Sequence, residues 1–255
     1  MSEPISFDPR TAALSPDDLQ ERVILISGAG QGIGRAVALS CAQHGATVLL
    51  LGRNAKRLSD VHSQISTLHG GERASIIEFD LENALAADYD ALFAAIEERY
   101  GRLDGLLHNA GMLGQLAPIE HYDVPTWCRV LQVNLTAAFV LTQILLPLLK
   151  RSEDASIVFT SSSVGRVGRA YWGAYAVSKF ALEGLNEVLS EELSGFTKIR
   201  VNSLNPGPVR TSMRRQAYPA EDAGSLAAPE SVARAYVALL GPASRGVSGG
   251  RFNAQ

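Results

Sequence analysis

The stretch Val23-Ile24-Leu25-Ile26-Ser27-Gly28-Ala29-Gly30-Gln31-Gly32-Ile33-Gly34 decides how the chain folds. A short apolar run enters a cluster of glycines, and an amphipathic segment covering 33–44 follows. Apolar runs of this kind read as strands covered on both faces, and the 3.6-residue period after them reads as a helix. Gly45 stops that helix, and a second apolar run fills 46–51. Outward from there the cycle repeats. Helix-like segments at 55–68, 86–100, 125–150, 172–193 and 230–240 alternate with strand-like runs at 76–79, 103–108, 156–160 and 199–204. A last short run lies near Gly250-Arg251-Phe252. Strand–helix alternation implies right-handed crossovers and an open parallel sheet between two helical layers.

Composition agrees with one such domain. The chain has 255 residues, 46% of them hydrophobic, enough for a core without disulfide or metal staples. No composition break divides it, so residues 21–255 are expected to form a single domain after a polar extension at 1–20. With 23 basic and 26 acidic residues, no nucleic-acid or anionic-membrane partner is expected. Cys41 and Cys128 read as small buried hydrophobes in a reducing compartment. The N-terminus lacks a basic region followed by an apolar one, so no signal peptide is expected. The apolar run 135–149 is broken by Thr136, Thr142, Gln143 and Pro147 and falls short of a ~20-residue membrane span. Cytoplasm is the expected location.

Glycines placed between a strand and a helix let the backbone approach a pyrophosphate closely. The helix start adds free N–H groups and a positive dipole end. About 20 residues on, an acid would mark a ribose 2′-hydroxyl. Here Leu51-Gly52-Arg53-Asn54 stands instead, and no Asp or Glu occurs between Glu21 and Asp60. A guanidinium at Arg53 suits a 2′-phosphate, so NADP(H) is expected in preference to NAD(H). Lys56 and Arg57 read as solvated charges.

Tyr175-Ala-Val-Ser-Lys179 opens a helix-like stretch and puts phenol and ammonium one turn apart on one face. The ammonium should favour the phenolate, lowering a pKa near ~10 toward neutrality, a change of roughly 4 kcal/mol. Ser161-Ser162-Ser163 ends a strand ahead of the tyrosine, where ligands of open parallel sheets sit. A phenol so placed can protonate a carbonyl oxygen as hydride reaches the carbon.

Taken together these residues resemble the short-chain dehydrogenase/reductase family, whose domain is a Rossmann-type α/β fold of about seven parallel strands. Ser27, Gly28, Gly30, Gln31, Gly32, Ile33 and Gly34 look like its glycine turn, with Ser in place of Thr. Asp80, with Leu81 after it, looks like the acid that contacts adenine. His108-Asn109-Ala110-Gly111 is similar to its Asn-Asn-Ala-Gly segment, with His108 a departure that puts one sheet-stabilising hydrogen bond in doubt. Asn134 matches the active-site asparagine, Ser162 the serine, and Tyr175 with Lys179 the Tyr-x-x-x-Lys pair. Pro206, Gly207, Val209 and Thr211 belong to a stretch resembling the loop that closes near the nicotinamide. Within the family the resemblance is nearest to bacterial YciK-like oxidoreductases.

The resemblance implies an oxidoreductase acting on a small-molecule carbonyl or alcohol, with Tyr175 as acid and base. It implies that Ser162 holds the carbonyl oxygen. Lys179 would tune the phenol and grip the nicotinamide ribose, and Asn134 would hold a water that links Lys179 to solvent. A homodimer or homotetramer is implied as well, built on the helices at 125–150 and 172–193, which are apolar on more than one face. A non-catalytic NADP(H)-binding regulator and a methyltransferase of similar fold remain as alternatives. Met112, Leu113, Trp172, Met213 and Tyr218 read as either pocket or packing, and 210–228 as a lid. The five histidines show no metal-ligand spacing and read as surface or cap residues, so no metal is expected.

Overall fold

The computed structural model describes residues 7–69 and 73–255, so the expectation for residues 1–6 falls outside the described residues. Among the described residues seven strands form one sheet in the order β3-β2-β1-β4-β5-β6-β7, every pair parallel. They are β1 (Val23–Ser27), β2 (Thr47–Gly52), β3 (Ala74–Glu78), β4 (Gly105–His108), β5 (Ser156–Thr160), β6 (Arg200–Asn205) and β7 (Arg251–Asn253). The helices are α1 (Gly32–Gln43), α2 (Ala55–His69), α3 (Ala86–Tyr100), α4 (Val124–Leu131), α5 (Ala137–Leu149), α6 (Gly173–Leu193), α7 (Ser212–Ala217) and α8 (Pro229–Leu240).

The apolar runs are continuous because both faces of the sheet are covered. Ile24, Ile26, Val48 and Leu50 pack into one layer with α1, α2 and α8. Their neighbours Leu25, Leu49, Leu51 and Leu106 pack into the other with α3, α5 and α6. Each fully buried aliphatic side chain contributes about 1.5–3 kcal/mol. The edge strand β3 differs. Its residues alternate, and Ile76 and Glu78 face outward. Strand order reverses between β1 and β4, which opens a crevice at the carboxyl ends of these strands.

Three expectations change. Residues 7–20 are not a loose extension. Leu19 is fully buried, Phe7 meets Phe252 edge-on at 5.4 Å, and Arg234 donates to the Ala12 carbonyl at 2.6 Å. Polar composition hid two apolar anchors. The helix expected at 125–150 is interrupted by a π-helical turn over Gln132–Thr136. Read as one rod, Val124–Leu149 (26 residues, mean hydropathy 1.6) is long and apolar enough to cross a bilayer, longer than the run 135–149 suggested. Here Leu141, Leu145, Leu148 and Leu149 are buried in the domain core. Finally, Cys41 is buried as expected, but Cys128 is exposed.

Candidate active site

The crevice between the β1 and β4 ends holds a cleft of about 540 Å³. Its floor is the glycine turn. Gly28 has φ +69°, and a Cβ there would stand 2.9 Å from the Ala110 Cα. Ser27 is buried beneath, its hydroxyl accepting from the Asn109 and Ala110 amides at 3.0 and 3.1 Å and donating to the Leu107 carbonyl. Serine therefore does here what the threonine of the family motif would do. Gln31 precedes α1 without a side-chain cap, and the helix has no acid in its first turn. Its orphan N–H groups and positive dipole end are left for an anion. Gly30, Gln31, Gly32, Ile33, Arg53, Asp80, Leu81, Asn109, Ala110, Gly111, Pro206 and Thr211 all line this cleft. Ser27, Gly34, Gly207 and Val209 do not. Gly207 borders a second cavity, whereas Ser27, Gly34 and Val209 are buried, Val209 bridged to Ala227.

At the adenosine end the local sequence was an incomplete guide. Arg53 faces the cleft, but Glu82 arrives from the loop after β3 and pairs with it at 3.3 Å. The window between Glu21 and Asp60 contains no acid, yet the fold supplies one from outside it. Arg57 is not merely solvated: it lines the cleft and bonds Gln31. Two arginines, Arg53 and Arg57, and two carboxylates, Asp80 and Glu82, thus line the cleft. The Arg53–Glu82 pair is exposed on the arginine side, and such pairs are worth about 0–1 kcal/mol.

At the other end Tyr175 and Lys179 line the cleft from the first turns of α6. The Ser162 hydroxyl lies near the Tyr175 phenol and favours its ionised form. Ser162 itself opens onto a second cavity of about 350 Å³, shared with Trp172, Gly207 and Tyr218. Met112 and Met213 line the first cleft, whereas Leu113 is buried behind it. Residues 210–228 form a flap pinned at its base by Arg210 donating to Ala227 at 2.9 Å.

The expected depression of the phenol by the ammonium does not occur. Burial raises the Tyr175 hydroxyl, with the Ser162 hydrogen bond opposing. Lys179 lies 5.7 Å from the Tyr175 ring centroid, over the ring, and its Nζ donates to the Thr160 carbonyl at 2.7 Å. Burial brings Lys179 itself down to about 8, against the charge of Glu183. Helical spacing fixed the shared face but could not say which atom the ammonium would reach. Asn134, in the π turn, bonds the Met112 amide and carbonyl at 2.8 and 3.0 Å and Ser178 at 3.0 Å. Its side chain anchors the strand-end loop to α6.

Glu183, missed in the sequence, completes the stripe Tyr175, Lys179, Glu183 on α6. It is buried, accepts from Ser161 and Ser203 at 2.5 and 2.6 Å, and pairs with Arg166 at 2.9 Å. The signal available was its place one turn beyond Lys179. The carboxylate holds the residue before Ser162 and lies under the lysine, so it steadies both.

His108 is a core residue rather than a surface or cap histidine. It bonds Thr142 at 2.8 Å and stacks on Phe159 with ring centroids 4.9 Å apart. Burial, helped by the Lys179 charge, lowers its pKa to about 3. The unfolded value is ~6.5, so between the two the unfolded chain binds a proton that the folded chain excludes. Stability therefore rises with pH across that window and is lost as pH falls from about 6.5 toward 3. His108→Asn is expected to flatten the slope of unfolding free energy between pH 6 and 4 by about 1.4 kcal/mol per pH unit. Urea titrations at several pH values check this, and an unchanged slope would contradict the buried neutral ring.

Comparison with known proteins agrees with the geometry. Residues 22–222 match the family model described as short chain dehydrogenase. The chain is 47% identical over 239 residues to the uncharacterized oxidoreductase YciK of Escherichia coli K12, covering 94% of each. A short chain dehydrogenase from Salmonella enterica serovar Typhi superposes with a TM-score of 0.93 at 47% identity, over 95% of this chain and 99% of that one. A protein from Escherichia coli CFT073 solved in complex with NADPH gives a TM-score of 0.91 at 47% identity, over 95% and 100%. With its parallel sheet, glycine turn and Ser–Tyr–Lys arrangement, this chain belongs to the short-chain dehydrogenase family.

Proposed function

We propose that the protein is an NADP(H)-dependent oxidoreductase that interconverts a small carbonyl compound and its alcohol. The observation carrying this reading is that Tyr175 and Lys179 line the inner end of a glycine-floored cleft, with Ser162 on the cavity beside it. The cradle fits a dinucleotide: a side chain at Gly28 would close on backbone, and the α1 amides are free of side-chain caps. Arg53 and Arg57 favour a 2′-phosphate, and the NADPH-bound relative supports the same cofactor here. When bound, NADPH would supply hydride to the carbonyl carbon.

The chain's own residues handle the oxygen and its proton. Ser162 donates a hydrogen bond that strengthens as negative charge grows on the carbonyl oxygen. Tyr175 delivers the proton, and because burial raises its pKa the phenol stays protonated near neutral pH, the form that reduction requires. Lys179 would hold the nicotinamide ribose, and Asn134 keeps the loop at Met112 against α6. The exposed apolar side chains Phe139, Val177, Phe180 and Val188 on α5 and α6 would pair in a homodimer or homotetramer. A monomer in sedimentation would remove that part.

Loss of NADPH absorbance with a panel of aldehydes, ketones and quinones tests the activity. No turnover of any member, together with no quenching of tryptophan fluorescence by NADPH, would overturn the reading. The cofactor assignment has its own test. Arg53→Ala is expected to lower the NADPH-to-NADH ratio of kcat/KM by about tenfold or more, since a charge-assisted bond to phosphate is lost. An unchanged ratio would leave selectivity to Arg57 or to neither.

A further inference from the structure

We propose that the substrate carries an oxyanion group, a carboxylate or a phosphate, remote from its carbonyl, and that Arg169 binds it. This rests on the carbonyl-reducing reading above. The second cavity, about 350 Å³, begins at Ser162 and is lined by two arginines and by no carboxylate. The two arginines are not equivalent. Arg214 is neutralised by Glu221, which takes its Nε and Nη2 at 2.6 and 2.5 Å. Arg169 has no carboxylate within ion-pair distance among the described residues. Its one hydrogen bond there is Nη1 to the Tyr218 hydroxyl at 2.6 Å.

Its position is nonetheless built. The guanidinium lies 6.0 Å from the Trp172 ring and 5.7 Å from the Tyr218 ring, while Arg214 stacks on Tyr218 at 3.9 Å. A guanidinium within about 6 Å of two aromatic rings is attracted to their faces and keeps N–H groups for a planar anion. Arg169 is exposed, and the Tyr218 hydroxyl with the two rings keeps it on the cavity wall.

The distances also say where the anion sits. Trp172 neighbours both the charge and the proton donor, its ring centroid 5.7 Å from that of Tyr175 and 6.0 Å from the Arg169 guanidinium. A carbonyl at Ser162 and an oxyanion at Arg169 would both border the indole on the wall of one cavity. Its volume of about 350 Å³ leaves room for a chain between the two groups. Oxo acids with an intervening apolar chain fit, the chain lying along Trp172.

The experiment compares kcat/KM with NADPH for 4-oxopentanoate, 6-oxoheptanoate and 8-oxononanoate against their methyl esters. Dihydroxyacetone phosphate against dihydroxyacetone forms the phosphate arm. Wild type is expected to prefer at least one anionic member over its neutral partner by about tenfold or more. Arg169→Met, which keeps an apolar stem against the rings, should bring that ratio near one. Added KCl should weaken the anion's kcat/KM and spare the ester's. Preference in one arm identifies the oxyanion. Ratios near one in both arms, or a ratio that R169M leaves unchanged, overturn the proposal while turnover of the esters upholds the carbonyl reading. Should no carbonyl be reduced at all, calorimetric titration of 6-oxoheptanoate and its ester into the protein still decides. Acid binding that R169M abolishes supports the site, and equal or absent binding overturns it.

Discussion

Tyr175→Phe is expected to lower NADPH-dependent carbonyl reduction by about 10³-fold, within the range general-acid groups contribute. The substitution removes one oxygen from a residue otherwise fixed by packing. The ring is buried with Leu113, Val164 and Ala176 and stands 5.7 Å from Trp172, contacts that phenylalanine keeps. The cleft floor is made by other elements, so NADPH should still quench tryptophan fluorescence with an affinity of wild-type order. Loss of turnover with retained binding is the signature. Residual activity above about a tenth of wild type would remove the phenol from its role. Loss of binding as well would mean that the tyrosine serves the cofactor more than the proton.

The ammonium does not reach the phenol as the sequence spacing leads one to expect. Tyr175 and Lys179 share a helix face, as four-residue spacing requires, but spacing is silent on side-chain direction. The ammonium goes to the Thr160 carbonyl, and burial raises the phenol.

Legibility elsewhere followed the range of the interactions. Strands, helices and the glycine turn are written in contiguous residues, and each was readable because both faces of the sheet are covered and β-to-α turns are short. The two residues of the Arg53–Glu82 pair lie on different strand-end loops, and a window around Arg53 cannot contain Glu82. The same holds for His108 with Thr142 and for Glu183 with Ser161 and Ser203. The π turn at Asn134 was hidden for another reason. Its apolar and polar residues continue a helical period closely enough that one extra backbone residue per turn leaves no mark. Phe7 and Leu19 were lost in a polar segment because anchors need not be periodic.

The glycine turn shows a finer limit. Sequence marks Gly28, Gly30, Gly32 and Gly34 alike, but the structure ranks them. A Cβ at Gly30 would meet the Arg57 Cβ at 3.1 Å, a side-chain neighbour on a helix that can shift slightly. At Gly34 it would stand 2.3 Å from the Gly28 carbonyl oxygen and 2.5 Å from the Asn109 Nδ2. Neither can withdraw. The Gly28 carbonyl belongs to the turn itself, and Asn109 donates to the Ser27 carbonyl at 3.1 Å to tie β4 to β1. Gly34→Ala must therefore push α1 off the turn, moving the amides that face the cleft. Overpacking of this kind costs about 1–3 kcal/mol, which for a chain of this size is a Tm loss of roughly 2–10 °C. NADPH affinity should fall with it by about tenfold or more, because anion binding at a helix start depends on where those N–H groups point. Gly30→Ala is expected to lose far less of both. If thermal unfolding and fluorescence titration found the two variants equal, the close approach of α1 to the turn would not be what forms the cradle.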